Sequence, residues 1–223
     1  AYSGSPATGA LFSVNDKTGD ARISGSLASL CGLEKALNEK DEKAIELSIQ
    51  KIVLMQAHSF FLGGVPMLFY GDECGYTNDY SYLKDEGKSY DNRWMHRPLI
   101  DWKKNKKIEK AGTPEHRIFS STQKLIAIRK ELSVIADKSN ISWVTPHNIH
   151  VATYLREQNS SRFWGVFNFK NEASFLTWYA FKEKGNPPAT LYDHWTGETV
   201  TVGGDHEFLV LKPYEFRLLS SPL

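Results

Sequence analysis

Two adjacent carboxylates, Asp72 and Glu73, follow the apolar run Val65-Pro66-Met67-Leu68-Phe69-Tyr70 and its glycine, Gly71. A run of that length between glycines suits a strand covered on both faces, as in a parallel sheet. At the carboxyl end of such a strand in an α/β barrel lies the face where active sites form. The two groups could therefore be an acid/base pair for glycoside cleavage. Against this, neighbouring residues leaving a strand point in opposite directions. They would poorly flank one scissile bond across the 5–10 Å or so that the chemistry requires. The alternative is that they cap a neighbouring helix or bind arginines at the rim.

Residues 76–102 carry Tyr76, Tyr80, Tyr82, Tyr90, Trp94 and Trp102 among Asp79, Asp85, Asp91, Arg93, His96 and Arg97. Aromatic faces beside bidentate donors and acceptors suit sugars, with their apolar C–H faces and rim of hydroxyls. The same composition suits a loop packed on a scaffold, and both readings stand. A second polar loop, Asp16 to Gly25, holds Arg22. Asp72, Glu73 and Asp79 could supply hard oxygen ligands, but no EF-hand-like spacing supports a cation site. The seven histidines lack metal-binding spacing, so neither metal nor cofactor is expected. Lys103, Lys104, Lys106, Lys107 and Lys110 read as a solvated face.

The elements that must position these groups fall into two parts. Up to about residue 135 the pattern is helical around one buried strand. Residues 1–24 read as a loop, and a short helix is expected over 26–33. A longer helix follows at 40–62, with Asn38 as cap and Asp41 and Glu42 in its first turn. Its apolar stripe, Ile45, Ile49, Ile52 and Val53, widens beyond Val53 to cover the helix nearly all round, which marks a buried end. Thr113-Pro114-Glu115 opens another helix. From 139 the period changes. Alternating runs at 149–154, 162–169 and 198–202, with further strands at 208–211 and 215–219, are broken by turns such as Gly203-Gly204-Asp205. They predict an antiparallel sandwich of seven or eight strands.

Composition excludes some partners. The 223 residues contain 27 Lys plus Arg against 26 Asp plus Glu, a formal net charge of +1. No electrostatic case exists for nucleic acid or an anionic membrane. No apolar run approaches the roughly 20 residues of a membrane-spanning helix. Two cysteines, Cys31 and Cys74, cannot build a disulfide scaffold and read as unlinked thiols; a cytoplasmic setting is favoured.

Three segments together resemble a known family. Gly64-Val65-Pro66-Met67-Leu68-Phe69-Tyr70-Gly71-Asp72-Glu73 resembles the eighth-strand motif of the α-amylase superfamily of glycoside hydrolases. Thr18-Gly19-Asp20-Ala21-Arg22-Ile23-Ser24-Gly25 and Asp91-Asn92-Arg93-Trp94-Met95-His96-Arg97-Pro98 are similar to amylosucrases, which split sucrose and pass the glucosyl unit to an α-glucan. The resemblance covers essentially the whole chain. It implies an α/β plus all-β fold: the C-terminal part of a (β/α)8 barrel, its last strand and flanking helices, over 1–138, then a C-terminal β-sandwich over 139–223. It implies that Arg22, Arg93, Asp91 and Trp94 bind substrate, sucrose or α-glucan oligosaccharides, and that Asp72 and Glu73 are structural. The resemblance places the family's nucleophilic Asp, acid/base Glu and transition-state-stabilising Asp upstream of the region this chain matches, and no Arg-x-Asp-Ala and no His-Asp dipeptide occurs in it. A complete barrel needs about 250 residues, and the roughly 135 before the sandwich cannot close one. The chain is thus expected to be a catalytically inactive C-terminal portion, and α-glucosidases and sucrose hydrolases are alternative parents. A free-standing carbohydrate-binding or interaction module is the reading from another class. If the barrel is partial, strand 65–70 has no neighbours and the buried half of helix 40–62 is uncovered, an edge that invites self-association.

Overall fold

A computed structural model describes residues 4–137 and 139–221. By compactness the chain divides into two units, Ala1–Ile52 with Leu68–Ser121, and Val53–Met67 with Thr122–Leu223. Two of the three boundaries fall within long helices, and the third, between Met67 and Leu68, falls in irregular chain.

The first unit opens with a hairpin where a loop was expected. Strands β1 (Ala10–Phe12) and β2 (Arg22–Ser24) pair antiparallel, with Phe12 opposite Arg22. Asn15 makes the turn: its Oδ1 accepts from the backbone N–H of Lys17 and Thr18, and its own N–H donates to the Asp20 carbonyl at 2.7 Å. Short polar side chains that bond their own backbone build such turns. Helices α1 (Leu27–Leu30) and α2 (Leu33–Glu39) follow, then α3 (Glu42–Leu62). Asn38 belongs to α2 and does not cap α3. Asp41 does, because its Oδ1 accepts from Ala44 N–H at 3.0 Å, one of the orphan donors of the first turn. Beyond Leu68 the unit is mostly 3-10 turns, at Asp72–Cys74, Ser81–Lys84, Asn92–His96 and Lys106–Glu109, with the short helix α4 at Trp102–Asn105. Helix α5 (Pro114–Glu131) starts as expected, with the Thr113 hydroxyl accepting from His116 N–H. The lysine run is less solvated than expected: Lys104 lies 4.6 Å from the Tyr76 ring centre and is half-buried.

The expected strand at 65–70 is not formed, and among the described residues every strand pair is antiparallel. A strand exists through its ladder partners, and no described strand lies beside this run. Val65 is 88% exposed and Met67 85%. The preceding helix follows its apolar pattern, which marks a buried end, and not the uncovered edge expected of a partial barrel. The carboxyl half of α3 is covered, with Leu54, Ala57, Phe60 and Phe61 almost fully buried.

That half of the helix belongs to the second unit, whose own sheet covers it. Strands β3 (Ile141–Trp143), β4 (Val151–Gln158), β5 (Ser161–Asn168), β7 (Thr190–Asp193), β8 (Glu198–Thr201) and β10 (Phe216–Ser220) form one antiparallel sheet in the order β3-β4-β5-β10-β7-β8. Strands β6 (Ser174–Thr177) and β9 (Phe208–Leu211) form a two-stranded sheet, and helix α6 (Trp178–Lys182) follows β6. Leu155, Trp164, Val166, Leu191 and Leu219 of the large sheet share a core with Leu176, Trp178, Phe181, Leu209 and Leu211. Alternate residues point the other way. Phe163 stacks on Phe61 at 5.6 Å, and Phe167 packs between Tyr154 and Phe216. Each fully buried aromatic of this kind contributes about 1.5–3 kcal/mol. Both faces of β5 are therefore apolar, which explains its near-continuous aromatic sequence.

The end of α3 is held by two arginines. Arg156, fully buried, donates to the carbonyls of Phe61 and Leu62, and also to Asp137 and Asn140. Arg129 donates to the carbonyls of Phe60 and Gly64. Four of the carbonyls that a helix end leaves without intrahelical donors, or that follow it, are thus paired, by cations that the negative end of the helix dipole favours. Gly63, at φ +139°, sits where a Cβ would collide with the Arg156 guanidinium.

Candidate functional site

The hairpin and the turn at Asn92–His96 meet in the first unit around a cleft of about 480 Å³. It is lined by Leu11, Phe12 and Ser13 on one side and by Ser89, Tyr90, Asp91, Asn92 and Arg93 on the other. Asp91 caps the turn, its Oδ1 accepting from Arg93 N–H at 2.9 Å. Both oxygens of the same carboxylate take the guanidinium, with Nε at 2.9 and 3.0 Å and Nη2 at 2.8 Å. This fork-on-carboxylate geometry is the strongest form of a surface ion pair. The Arg93 hydrogen bonds and charge hold the Asp91 carboxyl at about 2. Among the described residues Nη1 of Arg93 has no partner, and the side chain is 48% exposed. The guanidinium carbon lies 5.0 Å from the centre of the Phe12 ring, within cation–π range. At the lip, Tyr90 is 82% exposed.

Of the residues singled out from sequence, Asp91 and Arg93 come together on the cleft. Arg22 is on β2, exposed and directly opposite Phe12 in the hairpin register, but it is not among the lining residues. Trp94 is also outside the lining, with Lys88 Nζ 5.2 Å and Arg97 5.4 Å from its ring centre. Sequence reasoning missed Phe12 and Asn92. The signal was present in the Asn15-to-Asp20 turn, which announces a hairpin and so places Phe12 beside Arg22.

Asp72 and Glu73 take the capping geometry. Glu73 accepts from Gly71 N–H at 2.9 Å, closing its own turn, and the Asp72 carboxylate accepts from the N–H of Leu27, the first residue of α1. Burial, then the neighbouring Glu73 charge, raises Asp72 to about 6, and the Leu27 bond only partly offsets this. Gly71, at φ +90°, has the Tyr76 ring where a Cβ would stand, so the turn admits only glycine. Behind the turn a buried polar network joins the early helices to the 76–80 stretch. Glu34 accepts from Ser29 Oγ at 2.5 Å and from Tyr80 Oη at 2.7 Å, and Asn78 Oδ1 accepts from Ser26 N–H at 2.8 Å.

Both cysteines are buried free thiols, as expected, and burial raises each to about 11. Among the described residues no group of three His, Cys, Asp or Glu side chains could hold a metal ion, and no helix is long and apolar enough to cross a membrane.

No protein-family model matches the chain. Solved structures share its fold. AmyP, in complex with maltose, superposes with a TM-score of 0.63 at 14% identity, over 87% of this chain and 38% of that one. The likeness is to part of an α-amylase-family enzyme. The trehalulose synthase MutB in complex with its substrate sucrose gives 0.55 at 17% identity, over 77% of this chain and 38% of that one. The α-amylase of Geobacillus thermoleovorans complexed with acarbose gives 0.54 at 18%, over 80% and 35%. At these identities the likeness is one of fold. The chain spans less than two fifths of the length of these structures.

Proposed function

We propose that the chain serves an α-glucan- or sucrose-active glycoside hydrolase or transglucosidase of amylosucrase type, as its carboxyl-terminal portion. In this reading residues 1–138 belong to the catalytic part and 139–223 form the terminal sandwich. The chain positions sugar, and the reacting carboxylates lie elsewhere in the enzyme. There one carboxylate attacks the anomeric carbon while another carboxyl group protonates the leaving sugar.

The observation that carries the reading is the division of labour on Arg93. Asp91 occupies Nε and Nη2 and fixes the fork, while Nη1 stays available above a cleft edged by Phe12 and Tyr90. Two N–H bonds of fixed direction beside the exposed Tyr90 ring and the half-buried Phe12 ring suit a neutral polyol. The fold likeness to enzymes solved with maltose and sucrose supports the same class. Asp72 and Glu73, both engaged in turn and helix capping, are left out of the chemistry.

A second reading, a carbohydrate-binding or interaction module acting alone, draws support from one fact. All cleft residues come from two stretches of this chain, 11–13 and 89–93. Calorimetric titration with sucrose and maltotriose, together with a glucose-release assay, tests both. The positioning reading expects affinity of about millimolar order, lost in Arg93→Ala, and no turnover. Millimolar or tighter binding that is lost in Trp94→Ala would favour the module. Glucose release abolished by Asp72→Asn or Glu73→Gln would sink the positioning reading.

A further inference from the structure

We propose that Asn92 is a positioning residue that locks the β1–β2 hairpin onto the turn bearing Arg93, so that Arg93 and its Phe12 platform are presented to sugar as one unit. The inference rests on the sugar-binding reading of that cleft.

Asn92 bridges both strands of the hairpin with one amide. Its Nδ2–H donates to the Leu11 carbonyl of β1 at 2.6 Å, and its Oδ1 accepts from Ser24 Oγ of β2 at 2.9 Å. Leu11 precedes Phe12, and Asn92 precedes Arg93. The amide thus fixes the two backbones whose next residues make the 5.0 Å cation–π contact. Strands of three residues form a hairpin that is marginal by itself, so its place depends on such tethers. The chemistry also selects the side chain. Asparagine offers a donor and an acceptor in one plane at this reach. Aspartate keeps the acceptor but turns an oxygen toward the Leu11 carbonyl, and glutamine is longer by a methylene.

The test measures sucrose affinity and backbone amide exchange over 10–12 and 22–24 in the full chain. Asn92→Ala should weaken binding about fivefold to tenfold, the loss expected of two hydrogen bonds, and speed exchange in both strands. Ser24→Ala, which removes one arm, should give a smaller change of the same kind. Asn92→Asp should match or exceed the alanine variant at pH 7.5 and recover toward wild type at pH 4, where the protonated carboxyl can donate to Leu11. Asp91, held at about 2, stays ionised there. Wild type at both pH values is the reference, since His96 in the same turn also titrates. If wild type binds no sugar, the underlying reading fails, and the exchange data still decide the lock. If wild type binds and Asn92→Ala binds equally, or if exchange over both strands is unchanged, the proposal is overturned. If Asn92→Ala fails to fold, Ser24→Ala and the pH recovery of Asn92→Asp carry the same decision.

Discussion

Asp91 binds Arg93 twice, taking the guanidinium with both carboxylate oxygens and the backbone N–H with one of them. The side-chain pair and the turn that presents it therefore depend on the same carboxylate. Arg93→Lys keeps the charge and loses the fork. We expect sugar affinity to fall about tenfold, and the Asp91 pKa, followed by NMR titration, to climb back toward the ordinary carboxylate range. An Asp91 titration unchanged in Arg93→Lys would show that the two-oxygen geometry is unimportant.

The pair has a sign in pH. A depressed carboxyl contributes above its unfolded value and loses that contribution as pH falls through its folded value, here about 2. Between pH 8 and 5, Asp91 should therefore impose no pH dependence on sugar binding. A binding midpoint in that window that persists when both His96 and Asp72 are replaced would contradict the assignment.

Asp72 has the opposite sign. Its folded value, about 6, lies above the ordinary 3.8, so between these values the folded state holds more protons than the unfolded one. Stability should fall as pH rises from about 4 to 6. Asp72→Asn can still accept from Leu27 N–H and should be the more stable form at pH 7, by about 1 kcal/mol once partial exposure is allowed for. Urea unfolding at pH 4.5 and 7 measures this, and equal stability differences at both values would count against it.

Arg156 should tolerate almost nothing. Arg156→Met preserves the bulk of the stem but leaves the carbonyls of Phe61, Leu62 and Asp137 without this donor. A loss of about 3–5 kcal/mol in chemical denaturation is expected.

The buried thiols give a kinetic prediction. With both cysteines near 11 and sheltered, iodoacetamide at pH 8 should modify neither in the native protein and both after denaturation. Rapid native labelling would show that the burial of these thiols is not maintained in solution.

Much of this architecture is legible in the residues. The apolar stripe of α3 and the Thr113-Pro114 start of α5 are local signals, and local signals survive folding. The strands at 198–201 and 208–211 emerge almost as expected. Three features were not legible. The run at 65–70 carries strand composition without a partner strand, and pairing cannot be read from composition. Asn38 and Asp41 both have capping chemistry, and only where α2 ended could separate them. At the site, Asp91 and Arg93 were within reach because they are two residues apart. The Asn15 turn could have placed Phe12 beside Arg22, but the meeting of that hairpin with Asn92 was out of reach, because an 81-residue separation between Asn92 and Leu11 leaves no trace in spacing.

The strand order of the large sheet bears on how the protein can be made. β10 lies between β5 and β7, although it follows both in the chain. During synthesis β3, β4 and β5 can associate as they leave the ribosome, and β7 can pair with β8, but the two groups have no seam until residues 216–220 emerge. Until then Trp164 and Leu191 belong to separate half-sheets with apolar faces open to other molecules. A nascent chain stalled before Phe216 would be a natural client for a chaperone, and completing this domain is a late, long-range event.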